Sequence, residues 1–114
     1  MDFNIEHADE QTAIVHIGRT LDYRNASDFK SLSQATVALG MRQFVLNFSE
    51  TGILDSTGLG AIFSLQRTVA GVGGNVVFAA LSYPVRAIVQ IVKIYNIFPA
   101  YKTVDNAIDA LTVH

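Results

Sequence analysis

The strongest constraint on the fold of this chain is the alternation of short apolar runs with segments of helical periodicity. The runs QFVLNFS (43–49) and NVVFAAL (75–81) are almost continuously apolar, which is typical of strands covered on both faces. Between and after them, apolar residues recur at the spacing of an amphipathic helix. Strands that alternate with helices favour a parallel sheet with helical cover, so the pattern predicts an α/β fold.

The beginning of the chain departs from this alternation. Residues 3–7 alternate between apolar and polar side chains, and an acidic segment at 8–11 follows as a turn. Residues 12–18 continue with a period of two, in which Ala13, Val15 and Ile17 face one way and Ile14 and His16 the other. Two strands joined by so short a turn pair in the antiparallel direction. We therefore expect a mostly parallel sheet of about four to five strands with an antiparallel first strand, in a single domain that spans residues 1–114.

About four helices are expected to cover this sheet, and capping residues and glycines mark their ends. Their predicted bounds are a cap at Asn25 or Ser27 and an end at Gly40 for the first, Thr57 to Ala70 for the second, a start at Pro84 for the third, and a cap at Asp105 for the fourth. A short edge strand is expected at 101–104. The positions predicted for the buried helix faces are Phe29, Leu32, Ala35 or Thr36, and Leu39, then Leu59, Ile62, Phe63, Gln66 and Val69, then Val85, Ile88, Ile91 and Val92, and finally Ile108 and Leu111.

The composition excludes several classes of function. The net charge is −2 and 16% of the residues are charged, so the chain has no basic field with which to bind nucleic acid or an anionic membrane. It has no cysteine, and its three histidines, His7, His16 and His114, are too far apart in sequence to form a metal-binding spacing. No run of about 18 apolar residues is present. We therefore expect a cytoplasmic protein with no metal, no cofactor and no direct membrane insertion.

The stretch ILDSTGLG at 53–60 combines an acid, two hydroxyls and two glycines at the start of an apolar helix. Backbone amides at a helix start are unpaired, and the helix dipole favours negative charge there. A hydroxyl at Ser56 or Thr57 can therefore cap the helix or, once phosphorylated, carry charge into a site suited to an anion. Gly58 and Gly60 leave little side-chain cover, so that another protein could approach closely.

Other interpretations of this stretch stay open from spacing alone. Asp55, Ser56 and Thr57 are ordinary helix-capping residues, and capping by itself explains their positions. A catalytic serine needs a GxSxG turn and a placed histidine, and neither is evident, so no catalytic residue is assigned. A nucleotide would also fit a helix N-terminus, although the chain has no GxxxxGK[ST] motif.

Further candidate residues are expected near this stretch. Asp22 follows the second strand, and loops at the carboxyl ends of parallel strands cluster, so Asp22 and Asp55 are expected to flank Ser56. On the second helix, small residues and Arg67 recur opposite the apolar stripe, where a partner protein or solvent alone could cover them. The candidate partner-binding residues are Asp22, Asp55, Ser56, Thr57, Gly58, Gly60, Ser64 and Arg67.

The run FVLNFSETGILDSTGLGAIFSLQRTV resembles the centre of STAS domains, especially the bacterial anti-sigma factor antagonists, which carry D-S-[ST]-G-L-G at the start of their second helix. The segment GRTLDYRNASDF is similar to their Gly-x-Leu-Asp turn and first helix, with one residue more between Gly18 and Leu21. The segment VDNAIDAL is similar to their last helix. The likeness spans nearly the whole chain. The segment VQIVKIYNIFPAY differs, since it is apolar where many relatives are more charged.

The resemblance implies a binding switch and no enzymatic activity. In this family the unmodified antagonist binds an anti-sigma factor that is also a serine kinase of the GHKL ATPase type, and this frees the sigma factor. The kinase phosphorylates the serine directly after the motif's aspartate, which matches Ser56 here, and the phosphorylated form lets go. A PP2C-type phosphatase resets the switch. Thr57 is the second choice of acceptor.

Two alternatives accompany this interpretation. A STAS domain can also be a non-switching scaffold subunit of a stressosome or of a membrane transport complex, and the apolar third helix favours a permanent partner of that kind. A nucleotide-binding or hydrolytic enzyme that acts through Asp22, Asp55 and Ser56 ranks lowest, because the sequence supplies neither a base nor a metal set.

Overall fold

The order of strands and helices follows the alternation seen in the sequence. A computed structural model describes residues 3–112. The strands of this part of the chain are β1 (Asn4–His7), β2 (Thr12–His16), β3 (Thr20–Leu21), β4 (Gln43–Asn47), β5 (Ile53–Leu54), β6 (Asn75–Ala79) and β7 (Ala100–Tyr101). The helices are α1 (Ala26–Ala38), α2 (Ser56–Ala70), α3 (Tyr83–Val92) and α4 (Val104–Thr112).

Five of the strands form the main sheet, in the order β1-β2-β4-β6-β7. The strand β1 is antiparallel to β2, with Ile5 opposite Val15. All other neighbours are parallel, and helices supply the crossovers that parallel neighbours require. The predicted α/β fold, a mostly parallel sheet with an antiparallel first strand and four covering helices, is confirmed.

Both faces of the main sheet are covered, as the continuous apolar runs predict. Successive side chains of a strand point to opposite faces. Leu46 of β4 accordingly belongs to the larger core, which contains residues of α1, α2 and α3. Its neighbour Val45 belongs to a smaller core on the other face, together with Ala107 of α4.

A second sheet, which the sequence pattern does not predict, consists of β3 and β5. These two-residue strands are parallel, and Leu21 lies opposite Leu54. Both leucines are buried. The pair matters for function because Asp22 and Asp55 follow directly after it, at the same end of the small sheet.

The third helix buries less of its apolar surface than predicted. Its buried residues are Val85 and Val89, whereas Ile91 is 77% exposed and Val92 is 42% exposed. Ile91 comes two positions after Val89, about 200° around the helix axis, and so faces away from the core. The inward orientation expected for Ile91 and Val92 is therefore wrong.

Several helix ends and buried positions also differ from the prediction. The fourth helix is capped by Thr103, whose Oγ1 accepts a hydrogen bond of 3.0 Å from the amide of Asn106, and not by Asp105. Leu39 is exposed because it lies at the C-cap of α1, just before Gly40, which has the predicted left-handed conformation. In α2, Leu65 takes the buried place expected for Gln66.

The last two strands of the main sheet are shorter or shifted. The strand β6 ends at Ala79, since Ala80 adopts a φ of 55° that ends the extended run. The strand β7 occupies Ala100–Tyr101 instead of residues 101–104, and it forms an edge of the main sheet as expected.

Candidate functional site

Ser56 lies at the first residue of α2, immediately after the small β3–β5 sheet. Asp55 precedes it in an extended conformation, with φ −106° and ψ −178°, which is the usual backbone of an N-cap residue. Ser56 and Thr57 are both exposed. Within residues 3–112 the Ser56 hydroxyl has no hydrogen-bond partner, so it is accessible to a second protein.

Asp55 fixes the start of α2 through both of its carboxylate oxygens. Its Oδ1 accepts a hydrogen bond of 2.8 Å from the amide of Gly58, which caps the helix. Its Oδ2 accepts a hydrogen bond of 3.0 Å from the amide of Tyr23, in the loop after β3. The backbone amide of Asp55 donates to the carbonyl of Leu21 at 3.3 Å. Asp55 therefore joins the loop after β3 to the helix that carries Ser56.

Asp22 follows β3 at the same level as Asp55 follows β5, as predicted. Its carboxylate, however, accepts hydrogen bonds within its own loop. Only 3% of Asp22 is exposed, and its Oδ1 accepts from the Arg24 amide at 3.0 Å. The Arg24 guanidinium donates to Asp22 Oδ2 at 2.6 Å. These hydrogen bonds from Arg24 hold the pKa of Asp22 below its ordinary value, against the opposing effect of burial. Both carboxylates form hydrogen bonds within the chain, that of Asp55 at the start of α2 and that of Asp22 with Arg24.

The side chain of Asn25 stabilises the same loop through contacts that the sequence pattern does not predict. It occupies the N-cap position of α1, as predicted, but its side chain makes no capping hydrogen bond. Instead its Oδ1 accepts from the amide of Asp22 at 3.0 Å and its Nδ2 donates to the carbonyl of Thr20 at 2.9 Å. The amide side chain thus closes the turn between β3 and α1.

The two glycines of the motif have different surroundings. A Cβ atom on Gly58 would lie 2.9 Å from the carbonyl carbon of Leu21, too close for any side chain. Gly58 is buried, so the open space expected there is wrong; its missing side chain lets α2 pack on β3. Gly60 is exposed and a Cβ added to it would meet nothing within 4 Å, so the expected clearance exists at this position.

A surface groove with a volume of about 360 Å³ runs between α1 and α2. Four of the predicted partner-binding residues line it on the α2 side: Thr57, Gly60, Ser64 and Arg67. Lys30 lines it on the α1 side. The structure therefore places these four residues along one groove next to Ser56 in sequence, whereas Asp22 and Gly58 are buried and do not line it.

A buried threonine connects the loop before β5 to α3. Thr51 is 1% exposed, and its Oγ1 donates to the carbonyl of Gly18 at 2.7 Å. Its own carbonyl accepts a hydrogen bond of 2.5 Å from the hydroxyl of Ser82. Ser82 also caps α3 by accepting from the amide of Val85 at 3.3 Å. Hydrogen bonds between segments that are distant in sequence leave no periodic pattern, so the sequence does not predict this network.

His16 belongs to a polar cluster on the main sheet. Its Nε2 lies 3.0 Å from Glu6 Oε1, and its Nδ1 lies 2.9 Å from Asn47 Nδ2. Both ring nitrogens are thus occupied. Among residues 3–112 no group of three or more histidine and acidic side chains is arranged to hold a metal ion. No helix in that range has the length and apolarity needed to cross a membrane.

Comparison with known proteins gives likenesses of sequence and of fold. Residues 3–107 match the family model of the STAS domain. The structure resembles SpoIIAA, an anti-sigma factor antagonist, in its unphosphorylated form, with a TM-score of 0.82 and 22% identity over 95% of this chain and 94% of that chain. It also resembles Bacillus SpoIIAA in the phosphorylated form, with a TM-score of 0.76 and 20% identity over 95% and 97%.

Two further likenesses come from proteins of different roles. An anti-sigma factor antagonist from Mycobacterium paratuberculosis has a TM-score of 0.83 and 22% identity, over 97% of this chain and 93% of that chain. A sulfate transporter family protein from Wolinella succinogenes has a TM-score of 0.78 and 14% identity, over 93% and 88%. At these identities the structural likeness establishes the fold alone.

Proposed function

The chain belongs to the STAS domain family, and on this premise we propose that it is an anti-sigma factor antagonist, a binding switch that phosphorylation of Ser56 turns off. The observation that carries the proposal is the position of Ser56. It is exposed at the first residue of α2, and its hydroxyl has no hydrogen-bond partner within residues 3–112. A residue so placed can be modified without any loss of core packing.

The proposed cycle has two states. The unmodified protein binds an anti-sigma factor that is also a serine kinase of the GHKL ATPase type, and so frees a sigma factor in the cytoplasm. The kinase transfers a phosphoryl group from ATP to Ser56 Oγ, whose proton is released, and the phosphorylated protein dissociates. A PP2C-type phosphatase hydrolyses the phosphate ester and restores the first state. Support comes from SpoIIAA, a relative whose structure exists in both unphosphorylated and phosphorylated forms.

The physical chemistry of the helix start supports a switch that acts at the partner surface. A phosphoserine adds close to two negative charges, and the N-terminus of a helix tolerates negative charge. Phosphorylation of Ser56 is therefore expected to leave the fold of this protein unchanged. The added charge instead acts on the bound partner, where about 1.4 kcal/mol of repulsion or desolvation lowers the affinity tenfold.

A scaffold role is the second candidate, and the surface of α3 is the observation that favours it. Tyr83 is 85% exposed and Ile91 is 77% exposed, and Ile97 in the following turn is 47% exposed. Exposed apolar side chains of this size are typical of surfaces that a partner covers.

An enzymatic role has the least support. A hydrolase built on Asp22, Asp55 and Ser56 would need a carboxylate that is available as a base. Both oxygens of Asp55 accept hydrogen bonds from backbone amides, and the Asp22 carboxylate is paired with Arg24. We therefore propose that the protein is not an enzyme.

Phosphate mapping tests the proposal. The Ser56→Ala protein, immobilised, is used to capture and purify the kinase from the native cell, and the kinase is then incubated with the wild-type protein and ATP. We expect mass spectrometry to locate the phosphate on Ser56, and on Thr57 only as a minor product. Phosphate at another residue, or none after prolonged incubation, would contradict the switch.

Binding of the purified kinase tests the charge mechanism separately. Ser56→Ala is expected to bind at least as tightly as the wild type, and Ser56→Asp about ten- to hundredfold more weakly. Ser49→Asp places the same charge at another exposed serine and is the matched control, expected to bind like the wild type. Equal binding by Ser56→Ala and Ser56→Asp would exclude a charge mechanism.

A further inference from the structure

The groove between α1 and α2 carries two positive charges that the chain itself does not neutralise. Lys30 lines the groove from α1 and Arg67 lines it from α2, and both are exposed. Within residues 3–112 neither lies within 4.0 Å of a carboxylate oxygen, since the contacts of that kind in this range are Glu6 with His16 and Asp22 with Arg24. The protein is acidic overall, with a net charge of −2, so this cationic pair is contrary to its average charge.

The wall of the groove is made of small residues. Ala26 and Ser27 contribute it from α1, and Gly60, Ala61 and Ser64 contribute it from α2. A Cβ on Gly60 would meet no atom within 4 Å. Small side chains let the backbone of another helix approach closely, as they do where two helices cross in contact.

The length of the groove suits one short helix. Thr57 and Arg67 are ten residues apart on α2, which corresponds to about 15 Å along the helix axis. A segment of about three turns from another protein covers that distance. Lys30 and Arg67 then lie on opposite walls and attract carboxylates on the face of the segment that enters the groove.

We propose that this groove binds an acidic helical segment of the partner protein, through carboxylates that pair with Lys30 and Arg67. This inference rests on the proposed function, because the partner is the one that the switch releases. It also explains, in terms of charge, how phosphorylation weakens binding of the partner. Ser56 immediately precedes Thr57, a residue of the groove, so a phosphate on Ser56 places negative charge at the Thr57 end of the groove and repels carboxylates that enter there.

A pair of synthetic peptides tests the charge preference without the kinase. One is an Ala-based helical peptide with Glu at i, i+4 positions on one face, and the other has Lys at the same positions. Each is titrated at low salt into the full-length, 15N-labelled protein, and amide shifts are followed by NMR. We expect saturable shifts that centre on residues 26–30 and 57–67 with the Glu peptide, and about tenfold weaker binding or none with the Lys peptide.

Two charge-reversed variants decide whether the groove is the site. The Lys30→Glu/Arg67→Glu protein should no longer bind the Glu peptide, so that the salt-dependent binding seen with the wild type disappears. Arg86→Glu/Lys102→Glu changes the net charge equally, at two exposed cations that line a different surface pocket, and should bind the Glu peptide like the wild type. Circular dichroism confirms that each variant is folded.

Other outcomes overturn the inference. Shifts scattered over the surface, equal loss in both double variants, or no saturable binding of the Glu peptide would show that the groove does not select an acidic helix. Phosphate on Ser56 together with any of these results would leave the switch intact and reject the groove alone. Saturable binding to the groove with no phosphate on Ser56 would reject the switch and retain the surface.

Discussion

Asp55 Oδ2 accepts a hydrogen bond of 3.0 Å from the backbone amide of Tyr23, across 32 residues of sequence. The same carboxylate caps α2 through the amide of Gly58. One side chain therefore holds together the two segments that follow the paired strands β3 and β5. Ser56, the next residue, takes its position from this arrangement, and its exposed hydroxyl makes no hydrogen bond within residues 3–112, so the hydroxyl can be modified without breaking these contacts.

Substitution of Asp55 should measure this double role. Asp55→Asn keeps the size of the side chain but leaves one acceptor oxygen for two amide donors, and we expect the free energy of unfolding to fall by about 1–2 kcal/mol. Urea unfolding gives the value. Asp105→Asn changes an exposed acid in the first turn of α4 that makes no cap, and is expected to cost less than about 0.5 kcal/mol. Similar losses in the two variants would show that Asp55 is an ordinary surface acid.

The two glycines of the motif should respond in opposite ways to alanine. At Gly58 the new Cβ would lie 3.0 Å from Leu21 Cγ and still closer to the Leu21 carbonyl, so Gly58→Ala is expected to destabilise the protein by about 1–3 kcal/mol. At Gly60 the new methyl meets open space, and the helix propensity of alanine should stabilise the protein by about 0.5–1 kcal/mol. Urea unfolding of both variants checks the difference in sign. A stable Gly58→Ala protein would mean that α2 does not need to contact β3 this closely.

The pairing of Asp22 with Arg24 should affect how the free energy of unfolding depends on pH in the acidic range. A pKa that is lower in the folded state contributes stability above the unfolded value, near 3.8, and that contribution disappears as the pH falls through the folded pKa. Arg24→Gln removes the guanidinium, so the pKa of Asp22 should rise, because burial then acts with less opposition. The difference in unfolding free energy between wild type and variant should be largest above about pH 4 and shrink toward lower pH.

Carboxyl 13C NMR titrations supply the control for this prediction. Asp9 also has a lowered pKa, but the main cause is the backbone amide of Gln11, so Arg24→Gln should leave its titration unchanged. If Asp22 titrates identically in both proteins, Arg24 is not the cause of its shift.

The main sheet could be predicted from the sequence because burial on both faces leaves a record in composition. The runs at 43–49 and 75–81 are almost continuously apolar, and they contain the strands β4 and β6, which are covered by helices on each side. The hairpin of β1 and β2 was equally readable from its alternation. Ile91 was misplaced because an amphipathic helix at the side of a core buries only a narrow strip, and a periodic pattern does not report how wide that strip is.

The sequence predicts only part of the candidate site, because the geometry of the site depends on contacts between segments that are distant in sequence. The sequence indicates Ser56 through its position after an aspartate at a helix start. It does not indicate that Asp55 reaches Tyr23, or that Arg24 occupies the carboxylate of Asp22. The strands β3 and β5 have two residues each, too few for a periodicity, so the pairing that brings these loops together is invisible before the structure.

A negative charge at Ser56 should leave the stability of the protein unchanged, so that any loss of partner binding can be assigned to the surface. The dipole of α2 favours an anion at its first residue by about 0.3–1 kcal/mol, and repulsion from the adjacent Asp55 offsets part of this gain. We therefore expect Ser56→Asp to unfold within about 0.5 kcal/mol of the wild type. Ala70→Asp is the matched control, since Ala70 is the exposed last residue of the same helix, where the dipole opposes an anion, and a loss of about 0.3–1 kcal/mol is expected. Urea unfolding at low ionic strength measures both, and added salt should reduce the difference between them. If Ser56→Asp were the more destabilised of the two, phosphorylation would act by loosening the start of α2, and the charge-repulsion account of the switch would be wrong.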